Sequence, residues 1–305
     1  MPWTPPSPPR SFVYKTASGV PIELSLWLPA KPHPKSPSGA PVIIWFHPGS
    51  WVDGARGDIS RVQVATALDA GWAFISADYR LAPQVKVKQQ LEDAVDAIEW
   101  VRAGNLDKEG VDGKKLVVAG SSAGGLIALL AAHQLTEPPL AMYAVYPGCD
   151  LTLPGMRAKV KFPNVIAWED VKGYLDPSGP VISSSPGNVD FTTFTPQGRT
   201  RAAFYLAQSG NPFEYILEAG EEVTPYDAKK HLKSWSRIVL IHGTEDKMAP
   251  YIISVQLDEA LEKNGNEHLL ITTKGDHGFD LLTDGDDEEG RKPFEQALEW
   301  LERFL

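Results

Sequence analysis

Short, continuously apolar runs alternate with helical patterns along most of this chain. The runs span residues 42–46, 73–77, 116–119, 141–146, 238–241 and 268–272. Continuously apolar strands that are separated by helices form a mostly parallel sheet that is covered on both faces. The alternation therefore predicts an α/β fold in which a mostly parallel central sheet is flanked by helices.

Four helices and one hairpin complete this framework. The helical patterns cover residues 90–102, 122–134, 251–263 and 291–304. In the first of them, Leu91, Val95 and Ile98 recur at helical spacing on one side. Near the N-terminus, β-forming residues flank Ser18-Gly19, which predicts a hairpin with strands over 11–15 and 20–28.

Between residues 150 and 235 the alternation breaks down. Pro, Gly, Ser and Thr are interleaved there with aromatic residues, namely Phe162, Trp168, Tyr174, Phe191, Phe194, Phe204, Tyr205 and Phe213. We interpret this segment as a cap inserted over the sheet of a single domain that spans residues 1–305, with its core formed by 11–149 and 236–305. The alternative is an irregular surface excursion whose aromatic residues fill only its own small core.

The strongest chemical signal is the turn Gly120-Ser121-Ser122-Ala123-Gly124, which directly follows a predicted strand and directly precedes a predicted helix. A G-x-S-x-G turn in this context holds its serine oxygen above the sheet edge, and it is so tight that small residues are needed beside the serine. Ser122 alone fits the pattern, because Ala119 stands two residues before Ser121. The turn predicts Ser122 as a nucleophile, and a small-residue turn without catalysis is the alternative.

A second signal is His47-Pro48-Gly49-Ser50-Trp51, at the end of the strand over 42–46. Acyl transfer needs a second backbone N–H donor besides the one that follows the nucleophile, and a loop of this type commonly supplies it. Pro48 has no N–H to donate. We therefore expect the amides of Gly49, Ser50 and Ala123 to form an oxyanion hole, with an ordinary strand-ending turn as the alternative.

The base must come from seven histidines. His277 follows the last predicted strand, at the carboxyl edge of the sheet where the sites of α/β folds lie. His242 also ends a strand, but a hydrogen-bonding turn role is equally compatible with its position before Gly243. His277 is therefore the predicted base.

The acid that orients this histidine is predicted to be Asp246, in the loop that leaves the strand over 238–241. With Asp246 the catalytic residues follow one another in the order Ser, Asp, His, which is the order of α/β-hydrolases. Glu245 and Asp276 are the competing acids, and the assignment gains its force from the joint pattern of the three residues.

Composition limits the partners of the chain. A net charge of −10 and a pI of about 5.2 repel phosphate backbones and anionic membranes, so we expect no nucleic-acid partner. No run of eighteen apolar residues occurs, so we expect no membrane span. A single cysteine, Cys149, fits a reducing compartment, and the Pro-rich N-terminus does not resemble a signal peptide. We therefore expect a cytoplasmic protein without a metal or another cofactor, and the oligomeric state is left open.

Together these motifs resemble the hormone-sensitive-lipase-like branch of the α/β-hydrolase carboxylesterases. The segment 78–83, Asp-Tyr-Arg-Leu-Ala-Pro, looks like the signature strand-to-helix segment of that branch, 47–50 stands where its HGGG motif would be, and His277-Gly278-Phe279 looks like its histidine segment. The resemblance covers about 42–102, 116–150 and 237–278. It departs from the branch at Ser121, Pro48 and Ser50, and residues 243–246 are more similar to dienelactone-hydrolase-like relatives.

The resemblance implies an α/β-hydrolase fold and a serine carboxylesterase, whose partner is a small, apolar carboxylic ester or lactone cleaved through an acyl-enzyme on Ser122. We expect His47, Trp51, Cys149 and Phe279 to line its substrate pocket. The alternatives are a formamidase, an acyltransferase or a dehydratase on the same fold. A non-catalytic ligand receptor is a further alternative, and the presence of His277 speaks against it.

Overall fold

Ten strands occur in the computed structural model, which describes residues 3–190 and 195–305. They are β1 (Arg10–Ala17), β2 (Val20–Trp27), β3 (Ala40–Phe46), β4 (Ala73–Ala77), β5 (Val111–Ser121), β6 (Ala141–Val145), β7 (Val189–Asp190), β8 (Thr195–Pro196), β9 (Ile238–Gly243) and β10 (His268–Thr273). Eight of them form one sheet in the order β1-β2-β4-β3-β5-β6-β9-β10. In this sheet the neighbours β4-β3-β5-β6-β9-β10 all pair parallel, whereas β1 and β2 pair antiparallel at one edge. The predicted mostly parallel sheet is therefore confirmed.

Helices cover both faces of this sheet. They are α1 (Arg61–Asp69), α2 (Val87–Trp100), α3 (Ala123–Ala132), α4 (Thr200–Ser209), α5 (Phe213–Ile216), α6 (Ile252–Asn264) and α7 (Glu288–Leu301). Side chains of β3 alternate between two apolar cores, because successive residues of a strand point to opposite faces. Ile44 lies in the core that α2, α3 and α6 cover, and Ile43 lies in the core that α1 and α7 cover.

Two helices differ from the sequence prediction. The pattern indicated no helix over α1. This helix begins after Ser60, whose hydroxyl accepts a hydrogen bond from the amide of Gln63. The last helix was predicted over 291–304, but α7 already begins at Glu288. There the carboxylate of Asp287 accepts from the amide of Gly290, because anionic groups are favourable at a helix N-terminus.

The segment 150–235, called the insertion below, lies between β6 and β9. It contains α4, α5, β7 and β8, and the remainder is mostly turns. Its two ends meet, since Asp150 and Asp227 form an isolated antiparallel bridge, and its middle is joined to the core through a bridge between Ser185 and Gly54. Two of its aromatic residues, Phe191 and Phe194, lie outside the described part of the chain.

Candidate active site

Ser122 stands on the sharp turn between β5 and α3. Its backbone has φ 54° and ψ −120°, a conformation that side chains rarely adopt and that a tight strand-to-helix turn imposes. The turn is tight because its backbone is packed against neighbours. A Cβ atom on Gly120 would collide with the carbonyl of Gly124, and one on Gly124 would collide with the carbonyl of Phe46. The flanking glycines are therefore required by close backbone contacts.

The loops after β9 and β10 meet beside this serine. The amide of Thr244 donates to the carbonyl of Thr273, and that of Glu245 donates to the carbonyl of Gly275. A Cβ on Gly243 would collide with the same carbonyl of Gly275. Because β9 and β10 are parallel neighbours, these contacts bring the loop that carries Asp246 against the loop that carries His277.

The structure brings the three predicted catalytic side chains together. The Nε2 atom of His277 lies 2.8 Å from Oγ of Ser122, and its Nδ1 atom lies 2.7 Å from Oδ2 of Asp246. Both distances are those of good hydrogen bonds. The arrangement gives a serine hydroxyl, an imidazole that can accept its proton, and a carboxylate that fixes which ring nitrogen is protonated.

The side chain of Asp246 is fully buried and is surrounded by donors. Its Oδ1 atom accepts from the amides of Met248 and Ala249, both at 2.8 Å, and its Oδ2 atom accepts from His277 and, at 3.2 Å, from Nε2 of His242. Burial alone would raise the pKa of Asp246. The interactions with His277 and His242 outweigh it and hold the pKa well below its ordinary value. Asp246 is therefore ionised at neutral pH.

The competing acids do not contact the imidazole of His277. Asp276 accepts from the backbone amide of His277, and its other oxygen is paired with Nζ of Lys247 at 2.6 Å. Glu245 is exposed, and its amide is bonded to the loop after β10. Asp246 thus has the geometry that the chain order of the motif indicated.

The loop after β3, which is predicted to contribute to an oxyanion hole, has backbone donors without a described partner. Gly49 has φ +123°, and a Cβ there would collide with the carbonyl of Asp53, so only glycine fits. No described residue accepts a hydrogen bond from the amides of Gly49, Ser50 or Ala123. Gly49 and Ser50 are half-buried and line a cavity beside Ser122, so their amides, with that of Ala123, can donate to an anionic oxygen.

The loop is held by hydrogen bonds to its carbonyl groups. The carbonyl of Trp51 accepts from the amide of Ala82 at 2.9 Å and from Nε2 of Gln90 at 2.7 Å. The carbonyl of Val52 accepts from Nε of Arg199, a residue of the insertion, at 2.6 Å. The core and the insertion therefore both fix the position of the predicted oxyanion donors.

Of the four residues expected in the substrate pocket, Trp51 lines a cavity next to Ser122. His47 instead stacks on Tyr79 with ring centroids 4.2 Å apart, and burial lowers the pKa of His47 to about 4. Cys149 is buried in the apolar core, where burial raises the pKa of its thiol. Phe279 packs against Tyr146 on the other face of the sheet. These three side chains are packed around the site, and none of them lines either of the two cavities beside Ser122 that are described next.

Two cavities open onto the hydroxyl of Ser122. The smaller one, of about 50 Å³, is lined mainly by apolar groups of the insertion, including Met156, Val160 and Leu206. The larger one, of about 360 Å³, has apolar walls at Phe204 and at residues 281–282 and carries the carboxyl groups of Asp53 and Asp58. Burial raises the pKa of both carboxyl groups. The site therefore has one small and one large compartment that both reach Ser122.

A polar network beneath His277 was not predicted. The ring of Tyr146 lies 4.7 Å from that of His277, centroid to centroid, and its hydroxyl donates to Oδ1 of Asp280 at 2.5 Å. The other oxygen of Asp280 accepts from Nε2 of Gln63, also at 2.5 Å. No local pattern marks these residues, because they meet only where β6, α1 and the loop after β10 pack together.

In the described ranges, no group of three or more His, Cys, Asp or Glu side chains has the arrangement of a metal site. Among those same residues, no helix is both long enough and apolar enough to cross a membrane.

A serine on a tight strand-to-helix turn, bonded to a histidine and an aspartate from later loops of a mostly parallel sheet, defines the α/β-hydrolase class. The chain has this fold, and its predicted resemblance to the α/β-hydrolases is confirmed by a family model described as the alpha/beta hydrolase fold, which matches residues 43–172.

Three known proteins illustrate the similarity. Esterase 2 of Thermogutta terrifontis superposes with a TM-score of 0.65 at 23% identity and covers 97% of this chain and 94% of its own, which supports the fold alone. Esterase LipC of Mycobacterium tuberculosis is 36% identical over 119 residues, 38% of this chain and 28% of LipC. A non-reducing polyketide synthase of Acremonium egyptiacum is 28% identical over 307 residues, 89% of this chain and 14% of the synthase. The chain thus spans less than a third of the length of either relative.

Proposed function

We propose that this protein is a serine carboxylesterase that cleaves small, apolar carboxylic esters or lactones through an acyl-enzyme on Ser122. The observation that carries the proposal is the continuous hydrogen-bonded line from Oγ of Ser122 through the imidazole of His277 to Oδ2 of Asp246. The similarity of part of the chain to an esterase supports it.

In the first half of the reaction, Oγ of Ser122 attacks the ester carbonyl carbon while Nε2 of His277 takes the hydroxyl proton. Asp246 keeps the proton on Nδ1 in place and stabilises the imidazolium that forms. The carbonyl oxygen becomes negative and is bound by the amides of Gly49, Ser50 and Ala123, each of which stabilises the transition state by about 3 kcal/mol.

In the second half, the tetrahedral intermediate collapses. The bond to the alcohol oxygen breaks, and the alcohol leaves with the proton that His277 returns from Nε2. A water molecule then attacks the acyl carbon while Nε2 of His277 takes one of its protons. The second tetrahedral intermediate collapses, the bond to Oγ breaks, and His277 returns the proton to Oγ of Ser122 as the acid leaves.

The cavities support small, apolar substrates. The smaller cavity has room for only a few atoms beside Ser122, and we assign it to the shorter part of the ester. The larger cavity takes the bulkier part. The carboxyl groups of Asp53 and Asp58 disfavour an anionic group there, because like charges repel strongly in a partly buried cavity. A neutral butyrate ester should therefore react faster than a dicarboxylic monoester of similar size.

The same proposal covers the organisation and setting of the chain. Residues 1–305 form one α/β-hydrolase domain, with 11–149 and 236–305 as the core and 150–235 as the cap. The partner is a small-molecule ester, and the chain binds no nucleic acid and has no membrane span. The single cysteine, Cys149, supports a cytoplasmic location.

A fluorophosphonate probe tests the mechanism most directly. It should modify Ser122 alone, as located by mass spectrometry of the digested protein, and p-nitrophenyl butyrate should be hydrolysed until the probe is added. Ser122→Ala is the matched control and should bind no probe. Modification at another residue, or none together with no turnover, contradicts the proposal.

A second candidate is the transfer of a polyketide acyl group to an acceptor other than water. It is favoured by the match to a polyketide synthase, which extends over 89% of the chain and so includes much of the insertion, whereas the LipC match covers 38%. Chromatographic analysis of the products formed from an aryl ester, with and without added alcohols or amines, separates the two. An esterase yields the phenol and the free acid in equal amounts, whereas an acyltransferase yields the phenol and the ester or amide of the added acceptor.

A further inference from the structure

We propose that His242 is a positioning residue for the reaction, which holds the carboxylate of Asp246 and weakens its attraction for the proton on His277. The inference rests on the proposed function, because it concerns how the acid of the triad acts on its base. It is carried by the shared contact of two histidines with a single oxygen of Asp246.

The protonation of His242 follows from its partners. Its Nε2 atom lies 2.9 Å from the carbonyl of Ala249 and 3.2 Å from Oδ2 of Asp246. Both partners are acceptors, so Nε2 must carry a proton and divide it between them. The Nδ1 atom lies 2.7 Å from Oγ of Ser254, whose hydroxyl donates to it when the ring is neutral. The ring is completely buried, so water does not replace any of these bonds.

The four donors around Asp246 have different tasks. The amides of Met248 and Ala249 fix Oδ1, and they belong to the same loop as Asp246 itself. Only His242, at the end of β9, ties Oδ2 to the sheet. Without it, Oδ2 would be held by His277 alone, which lies on a separate loop. His242 therefore restrains the position of Oδ2, the carboxylate oxygen that must face His277, relative to the sheet.

The same contact moderates the charge on Oδ2. An N–H donor withdraws negative charge from the oxygen that accepts it, so the second donor reduces how strongly Oδ2 attracts the proton on His277. Removing the donor from His242 should strengthen that attraction. The imidazolium form of His277 would then persist to higher pH, and the acid limb of kcat/KM would move upward.

Other titratable groups lie near His277 and His242, and they are separate from the contact between His242 and Asp246. On the side of His277 they are Asp276, which is paired with Lys247, and Asp280, which is screened by Tyr146. On the side of His242 the ring of Tyr251 lies edge-on at 5.7 Å. Asp276 and Asp280 do not contact His242, and His242→Phe keeps a ring against Tyr251, so a shift of the acid limb reports on Asp246.

Three variants test the proposal on p-nitrophenyl butyrate. His242→Phe keeps a ring but loses the donor, and we expect kcat to fall about tenfold and the acid limb to rise by about half a pH unit. His242→Gln places an amide N–H near the former Nε2. It should restore most of kcat and most of the wild-type position of the acid limb. Ser254→Ala removes the hydroxyl that polarises the ring and should give a smaller shift in the same direction. KM should stay unchanged in all three, because His242 lines neither cavity beside Ser122.

A second readout is the low-field proton resonance of Nδ1 of His277, which should move further downfield in His242→Phe. If that variant does not fold, the shift in Ser254→Ala decides the question. An acid limb at the wild-type position in every folded variant, or an equal shift in His242→Phe and His242→Gln, overturns the proposal. Absence of ester hydrolysis and of probe labelling in the wild-type protein would instead contradict the proposed function.

Discussion

The core and the insertion contribute different things to the same site. The core supplies Ser122, His277, Asp246 and the candidate oxyanion amides, all at or beyond the carboxyl ends of strands of the central sheet. The insertion supplies cavity walls, such as Val160 and Leu206, on short helices and turns. The proposed chemistry therefore depends mainly on residues of the core, with Arg199 of the insertion helping to hold the loop after β3, whereas much of the wall of the smaller cavity belongs to the insertion.

The largest expected effect separates the two regions by activity. Ser122→Ala should lower kcat on p-nitrophenyl acetate by about 10⁴-fold or more, because the nucleophile is lost while the oxyanion amides remain. Thermal unfolding of the variant should be close to that of the wild-type protein. A residual rate within tenfold of the wild-type rate would contradict the proposed role of Ser122 as the nucleophile.

Two glycine substitutions, one in the core and one in the insertion, should differ in their effect on the free energy of unfolding. Gly124→Ala should lower the free energy of unfolding by about 3 kcal/mol, because the new Cβ collides with the carbonyls of Phe46 and His47. Gly173→Ala, in the insertion, should change it by about 0.5 kcal/mol at most, because nothing lies within 4 Å of the new atom. Urea unfolding of both variants measures the difference, and equal values would contradict the contrast in packing.

The seam between the regions should be sensitive to acid at His133, which is bonded to Ser236 and stacks on Trp235. Burial lowers the pKa of His133 to about 4, from an ordinary value of 6.5. Between these values the unfolded chain binds a proton that the folded protein does not, so stability is lost as the pH falls. His133→Gln should reduce that loss by about 2 kcal/mol between pH 7 and pH 4. Urea unfolding at both pH values checks this, and an unchanged difference would exclude the ring as its source.

The smallest effect concerns selectivity. Val160 is half-buried in the insertion and lines the smaller cavity. Val160→Ala should raise the ratio of kcat/KM for a butyrate over an acetate ester by about tenfold, and Val160→Phe should lower it, because one or two methylene groups in an apolar pocket have effects of this size. Ratios that stay constant in both variants would show that this wall does not contact the substrate.

Sequence reasoning succeeded for features whose cause is local. The turn at Ser122 needs small neighbours, and the run over 42–46 is apolar throughout because both faces of β3 are buried. It failed for α1, whose capping residue Ser60 is followed by no clear apolar stripe. It also placed His47 in the pocket, whereas the ring is packed beneath the loop against Tyr79. The direction of a side chain at a strand end depends on what packs around it.

The amino-acid sequence by itself determined the fold class, the turn that carries Ser122 and the chain order Ser122, Asp246, His277. Strand burial and turn geometry depend on residues that are close together in the chain. Only the tertiary structure decided that two histidines share Oδ2 of Asp246, that Asp280 and Tyr146 lie beneath His277, and that two cavities of unequal size meet at Ser122. These contacts join residues that are distant in the chain, and their positions are set by how the helices, the loops and the insertion pack on the finished sheet.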